Sequence, residues 1–118
     1  MSDEPRERLR AICLALPEAV EKEAWGDPTW RLRDKIFAMA KRGDGRESLW
    51  CKAPPGSQMV LVGSDPKRFF VPPYVGHKGW VGMRLDVGPD WDEVALLVRR
   101  SYRLTAPKRL AVLVVEPG

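Results

Sequence analysis

Helical periodicity at both ends of the 118-residue chain, with two-residue alternation between them, predicts an α+β fold. The expected architecture is an antiparallel sheet, a meander plus a hairpin, packed by an N-terminal helix and C-terminal helices. Three stretches carry that prediction. Leu9, Ile12, Cys13 and Leu16 recur at i, i+3, i+4 and i+7, which is one apolar stripe of a helix. Thr29 to Arg33 alternates, with Trp30 and Leu32 on one side and Arg31 and Arg33 on the other, as a half-buried strand does. Asp90 and Glu93 stand three apart ahead of a second helical stripe, the spacing of a capping box. A chain of this length buries roughly two-thirds of the surface its unfolded form exposes, so a single domain over 1–118 with one core is expected.

Taken in order, the first helix starts at Asp3 or Glu4 and places Pro5 in its first turn, where the missing N–H costs nothing. Pro17 ends it by pushing Leu16 out of the helical region. Glu18 to Trp25 reads as a short polar edge strand. Gly26, Asp27 and Pro28 turn into the alternating strand, Asp34 and Lys35 reverse the chain, and Ile36 to Ala40 returns. Arg42 to Arg46 makes a hairpin loop, and Ser48 to Lys52 completes the meander with Trp50 and Cys51 on opposite faces. The Gly-x-Gly in that loop lacks the third glycine and the following helix of a phosphate-binding turn.

Pro54, Pro55 and Gly56 break the sheet. Ser57 to Val62 reads as a short helix capped near Pro55 or Ser57, although Val60, Leu61 and Val62 suit a strand equally well on propensity. Asp65 and Pro66 close that element, and Phe69 to Val71 leads into Pro72 to Leu85, read as two extended arms about a tight basic turn, Gly76-His77-Lys78-Gly79. Trp91, Val94, Ala95, Val98 and Tyr102 then line one helical face, while Arg99, Arg100 and Arg103 fall late in that helix, where its dipole favours cations. Pro107 opens a last short helix, Lys108 to Val115, whose valines suit a helix poorly.

Composition excludes more than it selects. No apolar run approaches the roughly 20 residues of a membrane span, and the charged first ten residues lack the apolar centre of a secretory signal, so a cytoplasmic protein is expected. Cys13 and Cys51 form no Cys-x-x-Cys pair and are expected to be buried thiols rather than a zinc or redox site. His77 is the one histidine, so a metal or catalytic centre built on imidazole has no second imidazole to draw on. The paired acids have simpler explanations, helix capping for Asp90 and Asp92 and an exposed strand face for Glu21 and Glu23. Ser48, Ser57 and Ser101 lack the nucleophile-elbow context. The expectation is therefore a non-enzymatic monomer without cofactor or metal.

The net charge of +4 is unevenly distributed. Residues 1–27 carry seven acids against four bases, and the remainder carries sixteen bases against nine acids. Such asymmetry is compatible with a surface for a polyanion such as DNA. The candidate contacts are Arg31 and Arg33 on a strand, Lys78 at the hairpin tip, and Arg99, Arg100, Arg103, Lys108 and Arg109 around a helix junction. Lys108 and Arg109 sit at a helix start, against the dipole, which suggests an acid partner in Asp86 or Glu93. Of the five tryptophans, Trp30, Trp80 and Trp91 occupy apolar-face positions and are expected in the core. Tyr74, His77 and Trp80 offer an alternative site, a groove beside the Pro72 to Trp80 hairpin that would take a protein or small ligand.

Five pieces in register resemble the MmcQ/YjbR-like family, small bacterial proteins of CyaY-like fold. They are Trp25-Gly26-Asp27-Pro28-Thr29-Trp30-Arg31-Leu32, Lys35-Ile36-Phe37-Ala38, Pro73-Tyr74-Val75-Gly76, Gly79-Trp80-Val81, and Ser101-Tyr102-Arg103-Leu104 with Ala106-Pro107-Lys108-Arg109-Leu110. Asp34 stands where family members often carry glycine, a change that a left-handed turn tolerates. The Gly43 to Arg46 loop is not carried over. The resemblance implies the α+β fold and a double-wing arrangement suggestive of DNA binding, and it supplies no catalytic residue.

Overall fold

The computed structural model describes residues 4–43 and 46–114. In chain order these form α1 (Glu4–Leu14), β1 (Val20–Ala24), β2 (Asp27–Leu32), β3 (Lys35–Gly43), β4 (Arg46–Cys51), α2 (Ser57–Ser64), β5 (Phe69–Phe70), β6 (Val81–Arg84), α3 (Trp91–Thr105) and α4 (Lys108–Ala111). The expected α+β architecture holds. All six strands make one antiparallel sheet in the order β1-β2-β3-β4-β6-β5, so β6 enters between β4 and the very short β5.

Two turns set the meander. Trp25 and Gly26 have φ of 55° and 84°, and Arg33 and Asp34 have φ of 50° and 68°. Two successive positive φ values give a two-residue reversal whose twist matches that of the strands it joins. Gly26 takes that conformation freely, and Asp34 tolerates it. The first reversal is therefore tighter than the expected Gly26 to Pro28 turn, and the second lies one residue earlier than the expected Asp34–Lys35 reversal. Asp27 and Pro28 already lie in the ladder opposite Ala24 and Glu23, and Lys35 begins β3. β3 also runs past Ala40 to Gly43, so the loop expected over Arg42 to Arg46 contracts to its tip, where 44 and 45 lie outside the described residues.

The core fills the space between one sheet face and the helices. Trp30, Phe37, Phe69, Tyr102, Leu9 and Leu49 are among the largest fully buried side chains, each contributing roughly 2–3 kcal/mol of burial. Phe37 meets Tyr102 edge to face, with ring centroids 5.4 Å apart and planes at 84°. Cys13 and Cys51 are both buried free thiols; burial pushes the Cys51 thiol up to about 12 and raises that of Cys13.

Buried polar groups fix how the helices sit. The register of β2 against β3 shifts between Trp30 and Arg31, which leaves Phe37 without a cross-strand partner. Ser101, fully buried on α3, donates its hydroxyl to the Phe37 carbonyl at 2.5 Å and accepts the Lys52 N–H at 2.9 Å. One hydroxyl thus satisfies the irregular point of β3 and the residue at which the chain leaves β4. Tyr102 donates to the Pro17 carbonyl at 2.7 Å, tying α3 to the end of the first helical segment. On the other side, Arg6 of α1 reaches Asp27 of β2 at 2.9 Å and Glu47 of β4 at 2.8 Å. Glu21 accepts from Arg10 at 2.7 Å and from the Trp30 indole N–H at 3.0 Å, and the Arg10 guanidinium holds its carboxyl below the usual range. Glu21 stands on the exposed strand face expected of it, and its carboxylate also clamps α1 and β2 onto the edge strand.

Further corrections follow from local chemistry. Pro72 to Leu85 is not a tight hairpin. Only Val81–Arg84 is strand, Gly76–Lys78 is a 3-10 turn, and Tyr74 has φ 68°. The arm expected over Pro72 to Val75 carries two prolines with no N–H to donate to a ladder. Asp90 caps α3 by accepting from the Asp92 N–H at 2.9 Å, while the Glu93 carboxylate turns to Arg68 at 2.5 Å, so the reciprocal half of the capping box is not made. Asp86 pairs with Arg46 at 3.9 Å, which leaves neither acid on Lys108 or Arg109. α1 ends at Leu14, two residues before the expected stop, and its Asp3 cap lies outside the described residues. α4 stops at Ala111 with Pro107 as its N-cap rather than its first residue. Its expected end at Val115 lies outside the described residues.

Replacing Ser101 with Ala removes both bridging bonds and leaves a buried carbonyl and amide unpaired. A loss of about 1–3 kcal/mol in urea denaturation is expected, against about 1 kcal/mol for Tyr102→Phe. Equal stability of Ser101→Ala and the parent would show that the bridge does not hold α3 to the sheet.

Candidate binding groove on the open sheet face

Strand alternation puts Trp30, Leu32, Ala38, Ala40, Leu49 and Cys51 into the core, where α3 residues meet them. The residues between them therefore face away from the helices. The register defines a row across that second face, in which Thr29 pairs with Met39, Met39 with Trp50, Trp50 with Gly82, and Gly82 with Phe70. Gly82 is required there, since a Cβ would stand 2.3 Å from the Phe70 ring. The adjacent row joins Lys41, Ser48 and Arg84.

A groove of about 830 Å³ lies on this face, lined by Trp25, Arg31, Asp34, Ile36, Met39, Lys41, Trp50, Lys52, Tyr74, Val75, Lys78 and Trp80. One wall is the segment between β5 and β6. Gln58 of α2 holds it by donating to the Gly76 carbonyl at 2.8 Å and the Trp80 carbonyl at 2.6 Å. Gly76 lets the segment fold against Val71, whose Cγ1 would stand 2.4 Å from an added Cβ. A second depression of about 430 Å³ continues the face past Lys41 and Trp50 to Arg42, Arg46, Phe70 and Arg84.

Cations and rings interleave here. The Lys41 ammonium lies 5.5 Å from the centre of the Trp50 ring, 5.8 Å from that of Trp25 and 3.5 Å from Asp27. Arg84 lies 5.4 Å from the Phe70 ring. Trp25 and Tyr74 are 75% and 87% exposed, unusual for such large rings, and so free to stack on a ligand. Lys52 has its pKa lowered, first by burial and then by the like charges of Lys35 and Lys78. Among the described residues the two depressions are lined by seven Lys and Arg side chains against two carboxylates, Asp27 and Asp34.

The structure splits the candidate basic set. Arg31 and Lys78 line the groove, with Arg31 held to Asp34 at 3.3 Å. Arg33 belongs to the β2–β3 turn and pairs with Glu18 at 3.4 Å. Arg99, Arg100 and Arg103 lie on α3, which packs on the other sheet face, and Arg103 donates to the Val114 carbonyl at 2.6 Å. Lys108 and Arg109 are exposed at the start of α4. The eight bases therefore do not form one surface. Of the alternative site, Tyr74 and Trp80 line the groove, while His77 is exposed on the 3-10 turn and does not. Trp80 is buried as expected, whereas Trp91 is half-buried under Arg8, 4.5 Å from its ring centre. Sequence reading missed Lys41, Lys52, Phe70 and Arg84 as groove residues. The available signal was parity: Met39 and Lys41, like Ser48, Trp50 and Lys52, alternate with core positions. Among the described residues no three of His, Cys, Asp or Glu gather to hold a metal ion, and no helix is long and apolar enough to cross a membrane.

Residues 14–104 match the family model for YjbR. The chain belongs to the YjbR family. Its fold is also similar to the crystal structure of the Deinococcus radiodurans protein DR2400, whose domain is described as DUF419. That similarity has a TM-score of 0.78 at 20% identity and covers 99% of this chain and 92% of the other. No functionally curated protein matches the chain. The YjbR match takes in β1 through β6 and most of α3, so every strand-borne groove residue lies inside it.

In this YjbR-family chain, a limiting dose of an amine-acylating reagent near pH 8 is expected to modify Lys52 ahead of the exposed Lys67, read by peptide mass spectrometry. Lys78→Met removes a like charge, so the Lys52 pKa climbs, less free amine is present and labelling slows. Unchanged labelling would show that the two ammonium groups do not sense each other.

Proposed function

We propose that this chain is a non-catalytic binding domain that takes a single strand of nucleic acid, DNA among them, along the open face of its sheet. The observation that carries the reading is the cross-strand row of rings, Trp50 and Phe70 with Trp25 and Tyr74 at its margins, interleaved with Lys41, Lys52, Lys78 and Arg84. Rings offer stacking platforms to any base, worth about 1–3 kcal/mol per base, and the intervening cations track phosphates. An open sheet face carrying aromatic side chains suits unpaired bases, which can splay and stack. A duplex hides its base faces and would leave the exposed rings without partners. The α3 and α4 bases play no part in this surface.

Labelled oligothymidylate titrated by fluorescence anisotropy tests the reading. With about four phosphates engaged, log K is expected to fall against log salt with a slope near −3, and Trp50→Ala is expected to weaken binding by about tenfold. Arg99→Glu with Arg103→Glu, on the helical side, is expected to leave affinity within about twofold. Absence of binding at low salt, or a larger effect from the α3 pair than from Trp50→Ala, would overturn it.

A further inference from the structure

We propose that the end of the groove around Lys52 is a pocket for a phosphate monoester, the dianion borne by a mononucleotide or by the phosphorylated end of a strand. The inference deepens the reading of the groove as a nucleic-acid surface and rests on it for the neighbouring base.

Lys52 follows the last residue of β4, and its backbone N–H is held by Ser101 at 2.9 Å, which anchors the base of its side chain to the core. Its ammonium shares the groove with Lys78, and Lys35 lies near enough to act on it electrostatically. Several other cations do sit beside carboxylates, among them Arg6, Arg10, Arg31, Arg33, Lys41 and Arg68. Among the described residues no carboxylate lies within ion-pair distance of Lys35, Lys52 or Lys78. Asp34, the one carboxylate lining this groove among those residues, is directed to Arg31.

Two ammonium groups, Lys52 and Lys78, thus line one end of the groove with no carboxylate partner among the described residues; Lys52 is half-buried, and an anion entering beside them relieves their repulsion. A monoester suits this place better than the diester of a strand interior, because it brings a second negative charge, with a pKa near 6, and three acceptor oxygens. Trp80 and Tyr74 stand in the same groove, so a base attached to that phosphate has a ring to lie against.

The full chain would be titrated with 3′-labelled oligothymidylate bearing either a 5′-hydroxyl or a 5′-phosphate, and with thymidine and thymidine monophosphate followed by tryptophan fluorescence. The phosphorylated member of each pair is expected to bind about tenfold tighter at pH 7.5, the worth of one added charge-assisted bond. The ratio is expected to shrink toward pH 5, as the monoester loses its second charge. Lys52→Met with Lys78→Met is expected to abolish the ratio, and Lys35→Met, at an exposed position, to reduce it should the double variant fail to fold. Preference for the phosphorylated strand alone, or for the mononucleotide alone, supports the pocket and identifies its source. Equal binding of phosphorylated and hydroxyl forms overturns the pocket while leaving strand binding in place. Tight mononucleotide binding with no strand binding keeps the pocket and overturns the strand reading, and no binding of any probe overturns both.

Discussion

The Ser101 hydroxyl is the contact on which the two-faced character of this sheet depends. It stands where β3 loses register and where β4 ends, and it receives an amide from one and gives a hydrogen bond to the carbonyl of the other. A carbonyl without a strand partner inside an apolar core would cost more than most single contacts return. Meeting that need from a helix places α3 on one side of the sheet, with Tyr102 edge-on to Phe37 beside it. The helices are committed to that side, and the opposite face is left to the turn segments and to solvent.

Charge follows the same division. On the margin of the covered face, Arg6 joins α1 to β2 and β4, Arg42 reaches Glu47, and Glu21 gathers Arg10 and the Trp30 indole. Most of these pairs are partly buried and tie separate elements together, so they act as positional locks more than as sources of net stability. On the open face the balance tips. Acids are few, the lysines reaching the groove end have no carboxylate partner among the described residues, and rings lie among them. These are the features that the proposed nucleic-acid strand would engage, its phosphates at the cations and its bases at the rings.

The segment between β5 and β6 shows why a sequence pattern can be read correctly in kind and wrongly in shape. Prolines, glycines and a basic pair do mark a reversal there. With prolines unable to pair and Tyr74 at positive φ, the reversal becomes a wall fastened by Gln58 instead of a projecting tip. Lys78 consequently faces the sheet groove in company with Lys52. The wall also accounts for the small size of β5, which pairs with β6 only at Phe69 and Phe70 before the chain departs.

Much of the fold was legible in the residues: the apolar stripe of α1, the alternation of β2, the Asp90 cap and long amphipathic run of α3, and the family's motifs all rest on local chemistry that a chain carries wherever it goes. Local pattern also assigned Trp30 and Tyr102 to the interior. It could not say which bases share a surface, because that depends on which sheet face the helices choose, and this choice is made by a contact between residues 64 positions apart. Arg99 and Lys78 look alike in sequence and part company only when α3 docks. Lys41 and Lys52, unremarked in the linear chain, become neighbours of the same rings because antiparallel pairing brings β3 and β4 side by side and Ser101 holds the end of β4 in place.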